Sequence, residues 1–238
     1  SDTDNLFITE TARGLPNFLG AAPNGHTNSA LDDSGLTPNP PDVHYDGNGG
    51  ADDTFELTLI TTHATAYFSD EVGTANSGVI NIASSGFTMS FVDLAPLVLH
   101  GAGGTLTVDT TANTSVTQLD LDDEGSTVDG SNQITGNGTF ESVVFDGYAS
   151  LEVYNGIDAL PADGTTPTIN VLDIDDTDPN VVDPLVSPLT NVLVSGENTL
   201  GGDNTDDIIN IENVPQNTTV TAQGGGGDDV INISPTAK

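Results

Sequence analysis

Short segments in which apolar and polar residues alternate with a period of two recur along most of this 238-residue chain. Residues 54–59, 87–91 and 208–211 are examples, each rich in Val, Ile, Thr or Phe and bounded by Gly, Asn, Asp or Pro. Such segments are typical of β-strands, and no window shows the 3.6-residue period of a helix. The pattern therefore predicts an all-β protein. The other segments of this kind are 79–82, 105–108, 116–121, 141–145, 150–154, 168–172, 191–194, 218–221 and 230–233.

The distribution of these segments predicts one elongated β domain over residues 1–238, a length sufficient to bury a core. Residues 20–50 differ because they hold four prolines and few apolar residues, which predicts an irregular loop or cap. A Pro- and Asp-rich connection at 158–167 leaves open the alternative that the chain forms two domains, with a weak boundary near residue 160.

The charge of the chain restricts its partners. Acidic residues number 36 against two basic ones, Arg13 and Lys238, for a net charge of -34. A nucleic-acid partner is excluded because phosphate binding needs Lys and Arg, and anionic membrane surfaces are disfavoured for the same reason. No apolar run approaches the ~20 residues of a membrane span, which predicts no membrane insertion. A compact chain with this charge repels itself, so high salt or bound cations must offset the repulsion.

The type of acidic residue points to turns and hard cations. The chain has 28 Asp and 8 Glu, although Glu is the better helix former and Asp prefers turns. Asp also supplies a short oxygen ligand for Ca²⁺. Disulfides and thiolate metal sites are excluded because cysteine is absent.

One turn pattern occurs three times, at residues 48–56, 202–210 and 224–232. Each copy is a Gly-, Asn- or Asp-rich turn followed by an Asp pair and the start of a strand; the pairs are Asp52–Asp53, Asp206–Asp207 and Asp228–Asp229. Glycine permits positive φ, so such a turn can direct its carbonyls inward, while the second Asp stands at the strand entrance. The pattern predicts a cation site at these turns, and plain polar turns are the alternative.

Residues 224–232 resemble the nonapeptide of RTX, or haemolysin-type, calcium-binding repeats, Gly-Gly-x-Gly-x-Asp-x-apolar-x. The matching positions are Gly224, Gly225, Gly227, Asp229 and Ile231. The resemblance implies a Ca²⁺ ion held by turn carbonyls and the Asp229 carboxylate. The other copies are degenerate; they keep Gly202, Asp207 and Ile209, with Asp203 as a further candidate ligand, and Gly49, Asp53 and Phe55. Tandem repetition is absent, and the chain also resembles the long Asp-rich β-repeat surface proteins of environmental bacteria.

The last two copies start 22 residues apart, which matches one rung of a parallel β-helix. Residues 202–207 would then stack against residues 224–229, and Asp207 and Asp229 would be neighbours that repel each other unless a cation lies between them. This spacing favours a parallel β-helix, or β-solenoid-like fold, with a β-sandwich as the alternative.

A second candidate cation site has the spacing Asp-x-Asp-x-Asn. Asp176, Asp178 and Asn180 match the start of an EF-hand loop, but Ser187 occupies the twelfth position where that loop needs Glu. The segment is therefore not an EF-hand, and a looser oxygen site remains the hypothesis. Ca²⁺ is the one cofactor that the sequence predicts.

These features favour a non-enzymatic structural protein located outside the cell or on its surface. The hypothesis is a calcium-stabilised subunit or repeat module of a filament, surface layer or adhesin, which self-associates through strand edges such as residues 5–9. A carbohydrate-active β-helix enzyme using Asp120 and Asp122, or Asp173 and Asp175, is an alternative. A carbohydrate-binding module with a surface glycan as partner is another, although the chain has no Trp.

Overall fold

The computed structural model of the chain describes seventeen β-strands. Described residues are 5–11, 15, 43–46, 53–69, 77–83, 85, 87–92, 96–123, 131–156, 166–172, 189–197, 205–214 and 218–234. No helix occurs in these ranges, and hence no apolar helix of membrane-spanning length. The strands are β1 (Asn5–Thr9), β2 (Val43–Asp46), β3 (Thr54–Thr58), β4 (Thr65–Ser69), β5 (Gly78–Ile82), β6 (Phe87–Val92), β7 (Leu97–His100), β8 (Thr105–Asp109), β9 (Gln118–Asp123), β10 (Asn132–Gly136), β11 (Val143–Asp146), β12 (Ser150–Tyr154), β13 (Thr168–Val171), β14 (Asn191–Ser195), β15 (Ile208–Ile211), β16 (Thr219–Gln223) and β17 (Val230–Ile233).

The strands form two large mixed sheets. The nine-stranded sheet has the order β1-β3-β7-β11-β10-β9-β13-β15-β17, and the eight-stranded sheet has the order β16-β14-β12-β8-β4-β5-β6-β2. Most pairs are parallel; the antiparallel pairs lie in β9-β10-β11 and in β4-β5-β6. The prediction of an all-β protein is thus confirmed for the described residues.

From β11 onwards, consecutive strands alternate between the two sheets. β11, β13, β15 and β17 belong to the nine-stranded sheet, whereas β12, β14 and β16 belong to the eight-stranded sheet. Each of β15, β16 and β17 pairs in parallel with the strand that lies two places earlier in the chain. Strand pairing also continues across residue 160, because β13 pairs with β9 and β14 pairs with β12.

Every second side chain along most strands enters the core. In β6, for example, Phe87, Met89 and Phe91 are buried while the residues between them are partly exposed. Inward side chains from both sheets belong to one hydrophobic cluster, to which β8 contributes Leu106 and Val108. Each such side chain stabilises the fold by about 1.5 to 3 kcal/mol relative to an exposed one, which is why the period-two pattern in the sequence predicts the strands.

Four strands were not predicted. In β4, Thr65, Tyr67 and Ser69 take the inward positions, so polar residues mask the alternation. β10 begins with the buried Asn132 for the same reason, and β7 contains the apolar run Leu97 to Leu99 without alternation. The prediction of an irregular loop or cap at 20–50 is wrong at β2, which pairs with β6; the other residues of that segment lie outside the described ranges.

Glu10 attaches the end of β1 to the turn that follows β3. Its carboxylate accepts hydrogen bonds from the backbone N–H groups of Ile60 (2.8 Å) and Thr61 (2.9 Å) and from the Thr61 hydroxyl (2.7 Å), and lies 2.9 Å from Nε2 of His63. Burial alone would raise the pKa of Glu10, but the hydrogen bonds from His63, Thr61 and the two amides outweigh it and lower the pKa to about 2.

We therefore expect Glu10→Gln to destabilise the fold by roughly 2 kcal/mol at neutral pH, because charge-assisted hydrogen bonds are lost. The contribution of Glu10 is complete above the ordinary pKa of 4.5 and is lost as the pH falls towards 2. Urea unfolding of both proteins should thus show a difference that shrinks with acidification. Glu212→Gln, on an exposed residue, is the matched control; an equal effect of both substitutions would contradict the role of Glu10.

Candidate functional site

The two C-terminal copies of the recurring turn stack on each other. Residues 224–229 connect β16 to β17, and the earlier turn leaves β14 at Gly196 and enters β15 after Asp207. β14 pairs with β16 and β15 with β17, so both ends of the two turns are in register. Ile208 pairs with Val230, and the same offset of 22 residues relates 205–207 to 227–229, so the predicted stacking is confirmed for these residues, whereas residues 202–204 lie outside the described ranges.

Asp207 and Asp229 are neighbours, as the spacing predicted. The backbone N–H of Asp207 donates to Oδ1 of Asp229 (3.0 Å), and the N–H of Asp228 donates to Oδ1 of Asp206 (2.7 Å). Each turn therefore binds a carboxylate of the other turn through a backbone amide. These bonds hold four carboxylates within one pair of turns, and the repulsion between them remains.

Three glycines in the stacked turns lie so close to carboxylate or carbonyl groups that no side chain would fit at their positions. A Cβ atom on Gly196 would lie 2.5 Å from Oδ2 of Asp207 and 2.6 Å from the carbonyl oxygen of Gly224. A Cβ atom on Gly224 would overlap the Asp229 carboxylate, and one on Gly227 would overlap the carbonyl of Thr205. Asp207 is only 2 % exposed, so its carboxylate and a turn carbonyl converge in a buried space that only glycine leaves open.

The backbone of the terminal turn has the predicted conformation. Gly225 and Gly227 have φ values of 97° and 123°, which residues with a Cβ atom rarely adopt. Carboxylates and turn carbonyls are the oxygen donors that Ca²⁺ prefers, so the donor set of Asp207, Asp229, Gly224 and Thr205 fits that ion in chemistry. Within the described residues, however, no three His, Asp or Glu side chains are already arranged around one metal position.

The structure separates the first copy of the turn from the other two. Asp53 is buried at the entrance of β3, where the sequence predicted the second Asp. β3 and β15 are separated by five strands of the nine-stranded sheet, so Asp53 cannot share an ion with Asp207. Asp52, Gly202, Asp203, Asp176, Asp178 and Asn180 lie outside the described residues, and the predictions about them stay predictions.

An asparagine ladder on the outer face of the nine-stranded sheet was not predicted. Nδ2 of Asn232 donates to Oδ1 of Asn210 (2.8 Å), and Nδ2 of Asn210 donates to Oδ1 of Asn170 (2.6 Å). Asn170 in turn donates to Asp120, which also accepts from Gln118. The signal was present in the sequence, because each of these asparagines follows an inward isoleucine in a short strand. Asp120, considered above as an acid or base, is thus held in an amide network.

His100 links three strands of the same sheet. Its Nδ1 lies 2.7 Å from Oδ2 of Asp146, and its Nε2 lies 3.6 Å from Oε1 of Glu56. The hydrogen bond to Asp146 raises the pKa of His100 against the effect of burial, and the charges of Asp146 and Glu56 add to the increase. A protonated His100 therefore neutralises part of the acidic surface.

Glu141 is a buried acid at the entrance of β11. It is 1 % exposed and hydrogen-bonds weakly to Ser142, while its Oε2 has no hydrogen-bond partner among the described residues. Burial raises the pKa of Glu141 to about 8, which the bonds with Ser142 only partly oppose. Glu141 is therefore a neutral acid at pH 7. The sequence alone did not indicate that this carboxyl group is buried.

Comparison of the chain with protein-family models, with curated proteins and with solved structures found no match. The resemblance to RTX repeats stays a prediction from residues 224–232.

We expect Gly196→Ala to destabilise the protein by about 1 to 3 kcal/mol, because the new methyl group overlaps the Asp207 carboxylate and the Gly224 carbonyl. The measurement is thermal unfolding by circular dichroism. Gly226→Ala is the control, since Gly226 lies in the stacked turn but does not have a positive φ. If Gly196→Ala were as stable as the wild type, the close packing of the turns would be contradicted.

Glu141→Gln should stabilise the protein increasingly as the pH rises. The unfolded chain loses this proton near pH 4.5, whereas the folded chain keeps it up to about pH 8, so ionisation costs stability between these values. The gain from Gln should be near zero below pH 4.5 and on the order of a few kcal/mol above pH 8. Urea unfolding across this range checks the slope; a gain independent of pH would contradict it.

Proposed function

We propose that this chain is a non-enzymatic structural module that works outside the cell or on its surface, wound as a parallel β-solenoid. The alternation of β11 to β17 between two sheets supports this winding, as does the parallel pairing of each strand from β14 to β17 with the strand two places earlier. In such a fold each rung buries its apolar side chains against the next rung, and stability depends on stacking. The polar asparagine ladder on the outer face suits a scaffold.

The single observation that carries the proposal is the stacked pair of turns at Asp207 and Asp229. A chain with a net charge of -34 places two carboxylates in adjacent strands and has glycine at 196 and 224, where a Cβ atom would overlap these carboxylates. We propose that Ca²⁺ binds there, held by Asp207 and Asp229 with the carbonyls of Gly224 and Thr205. The ion would replace like-charge repulsion with attraction and tie the last two rungs together.

The surroundings of the carboxylates support a structural role over an enzymatic one. Asp120 accepts hydrogen bonds from Gln118 and Asn170, so its oxygens are engaged within the sheet. Asp122 shares the outer face of β9 with it and accepts from the N–H of Asp123. A glycoside hydrolase needs two carboxyl groups that flank the bond to be cleaved, whereas these two residues lie on the same face of one strand, two positions apart. Asp173 and Asp175 lie outside the described residues.

We infer that the module self-associates, as subunits of a filament, a surface layer or an adhesin do. Both sheets end in strands without a further partner among the described residues, namely β1 and β2 at one end and β16 and β17 at the other. Open strand edges promote association. The charge of the chain opposes it, so divalent cations would control assembly as well as stability.

Calcium removal tests the proposal. We expect EDTA to lower the melting temperature of the wild type by roughly 5 to 10 °C relative to a solution with saturating Ca²⁺. Asp229→Asn keeps an oxygen that can accept the Asp207 N–H but removes the charge. It should therefore lose most of the calcium-dependent increase, yet be more stable than the wild type in EDTA because repulsion is relieved.

Asp122→Asn removes the same charge from the open face of β9 and is the matched control; its response to Ca²⁺ should equal that of the wild type. An unchanged melting temperature of the wild type in EDTA would show that these are plain polar turns. The same conclusion would follow if Asp229→Asn kept the full calcium response.

A further inference from the structure

The two ends of the molecule present strand edges with the same direction. In the nine-stranded sheet, the pairings from β1 to β17 contain two antiparallel steps, β11-β10 and β10-β9, so β1 and β17 run parallel. In the eight-stranded sheet, the antiparallel steps are β4-β5 and β5-β6, so β2 and β16 also run parallel. Translating one copy by nine strand spacings along the nine-stranded sheet therefore extends that sheet with a parallel pair, β17 beside β1 of the next copy.

The register of the nine-stranded sheet connects the two edges through one continuous row of inward residues. Ile233 at one edge and Leu6 at the other belong to the same row of paired positions. The row is Ile233, Ile211, Val171, Leu121, Ile134, Val143, Leu97, Phe55 and Leu6. A second copy stacked without a shift would place its Leu6 on Ile233.

The residues before these two are asparagines, and their amides are complementary. Asn232 donates its Nδ2 to Asn210, towards the interior of the sheet, and its amide also carries the acceptor Oδ1. Asn5 accepts the N–H of Thr54 with its Oδ1 (3.3 Å), and its amide also carries the donor Nδ2. A stacked copy would bring the Nδ2 of its Asn5 to the Oδ1 of Asn232 and continue the asparagine ladder.

The β17 edge also exposes side chains that belong to the core. Ile231 and Ile233 stack on Ile209 and Ile211, which are buried, but are themselves 44 % and 68 % exposed because no strand follows them in the described residues. Covering such side chains with a further strand removes apolar surface from water. Val220 and Ala222 of β16 pack against the same core beside them.

We propose that the β17 edge of one copy binds the β1 edge of a second copy, head to tail, with Asn5 donating to Asn232 and Leu6 covering Ile233. This inference rests on the self-association in the proposed function and names the surfaces and their register. The two ends differ, so the contact is heterologous and repeats in one direction. Assembly requires cations, because both partners carry a net charge of -34.

Two variants that each block one end provide the test. Ile233→Asp places a charge where Leu6 of the next copy would pack, and leaves the β1 edge intact. Asn5→Asp keeps an acceptor for Thr54 but replaces the amide donor with a carboxylate, and leaves the β17 edge intact. Both residues are exposed, so folding should persist and can be checked by circular dichroism.

Sedimentation velocity in millimolar Ca²⁺ should show concentration-dependent assembly of the wild type. Each variant alone should be monomeric at concentrations at least tenfold above those that assemble the wild type, and an equimolar mixture should give a one-to-one dimer. Phe68→Asp introduces the same charge at a side chain 40 % exposed on β4, inside the eight-stranded sheet, and should assemble like the wild type.

Three results would overturn the proposal: a wild type that stays monomeric, a blocked variant that forms dimers alone, or a mixture that forms none. Melting of the monomeric Ile233→Asp protein with and without EDTA separates this proposal from the calcium site. A calcium response in that monomer together with a failed mixing experiment would remove the head-to-tail contact and keep the calcium-stabilised module.

Discussion

Parallel pairing in exact register between successive strands is the interaction on which the rest of this structure depends. It pairs residues of the same type on adjacent strands: Ile209 with Ile231 in the core, and Asn210 with Asn232 on the outer face. Asp207 and Asp229 meet at the turn for the same reason. Each contact of this kind is weak, but parallel in-register pairing repeats it between each pair of parallel strands. The core, the amide ladder and the acidic turn all result from this one pairing geometry.

Acidic side chains in the described part of the chain are accommodated in several different ways. Glu10 is surrounded by amide, hydroxyl and imidazole donors, and Asp146 is paired with His100. Asp120 receives side-chain amides, whereas Glu141 is buried and keeps its proton at pH 7. At the stacked turns, backbone amides of Asp207 and Asp228 donate to the carboxylates of Asp229 and Asp206.

The sequence predicted what depends on local patterns. Alternation revealed strands whose inward residues are apolar, such as β6 and β15, and the spacing of 22 residues revealed the stacking of the last two turns. It did not reveal β4 or β10, because inward Thr65 and Asn132 are polar and only neighbouring strands make those positions favourable. Gly196 was missed as well, since its lack of a Cβ atom matters only when Asp207 and Gly224 are brought beside it from elsewhere in the chain.

The chain length between paired positions is very uneven. Asn232 follows Asn210 by 22 residues, Asn210 follows Asn170 by 40, and Asn170 follows Asp120 by 50. Pulled from its C-terminus, the molecule would lose strands one after another, and each loss would release a different extension, from roughly 75 Å for the shortest repeat to roughly 170 Å for the longest. The shortest repeat is the outermost and carries the acidic turn, so it is the first segment that such a force would release.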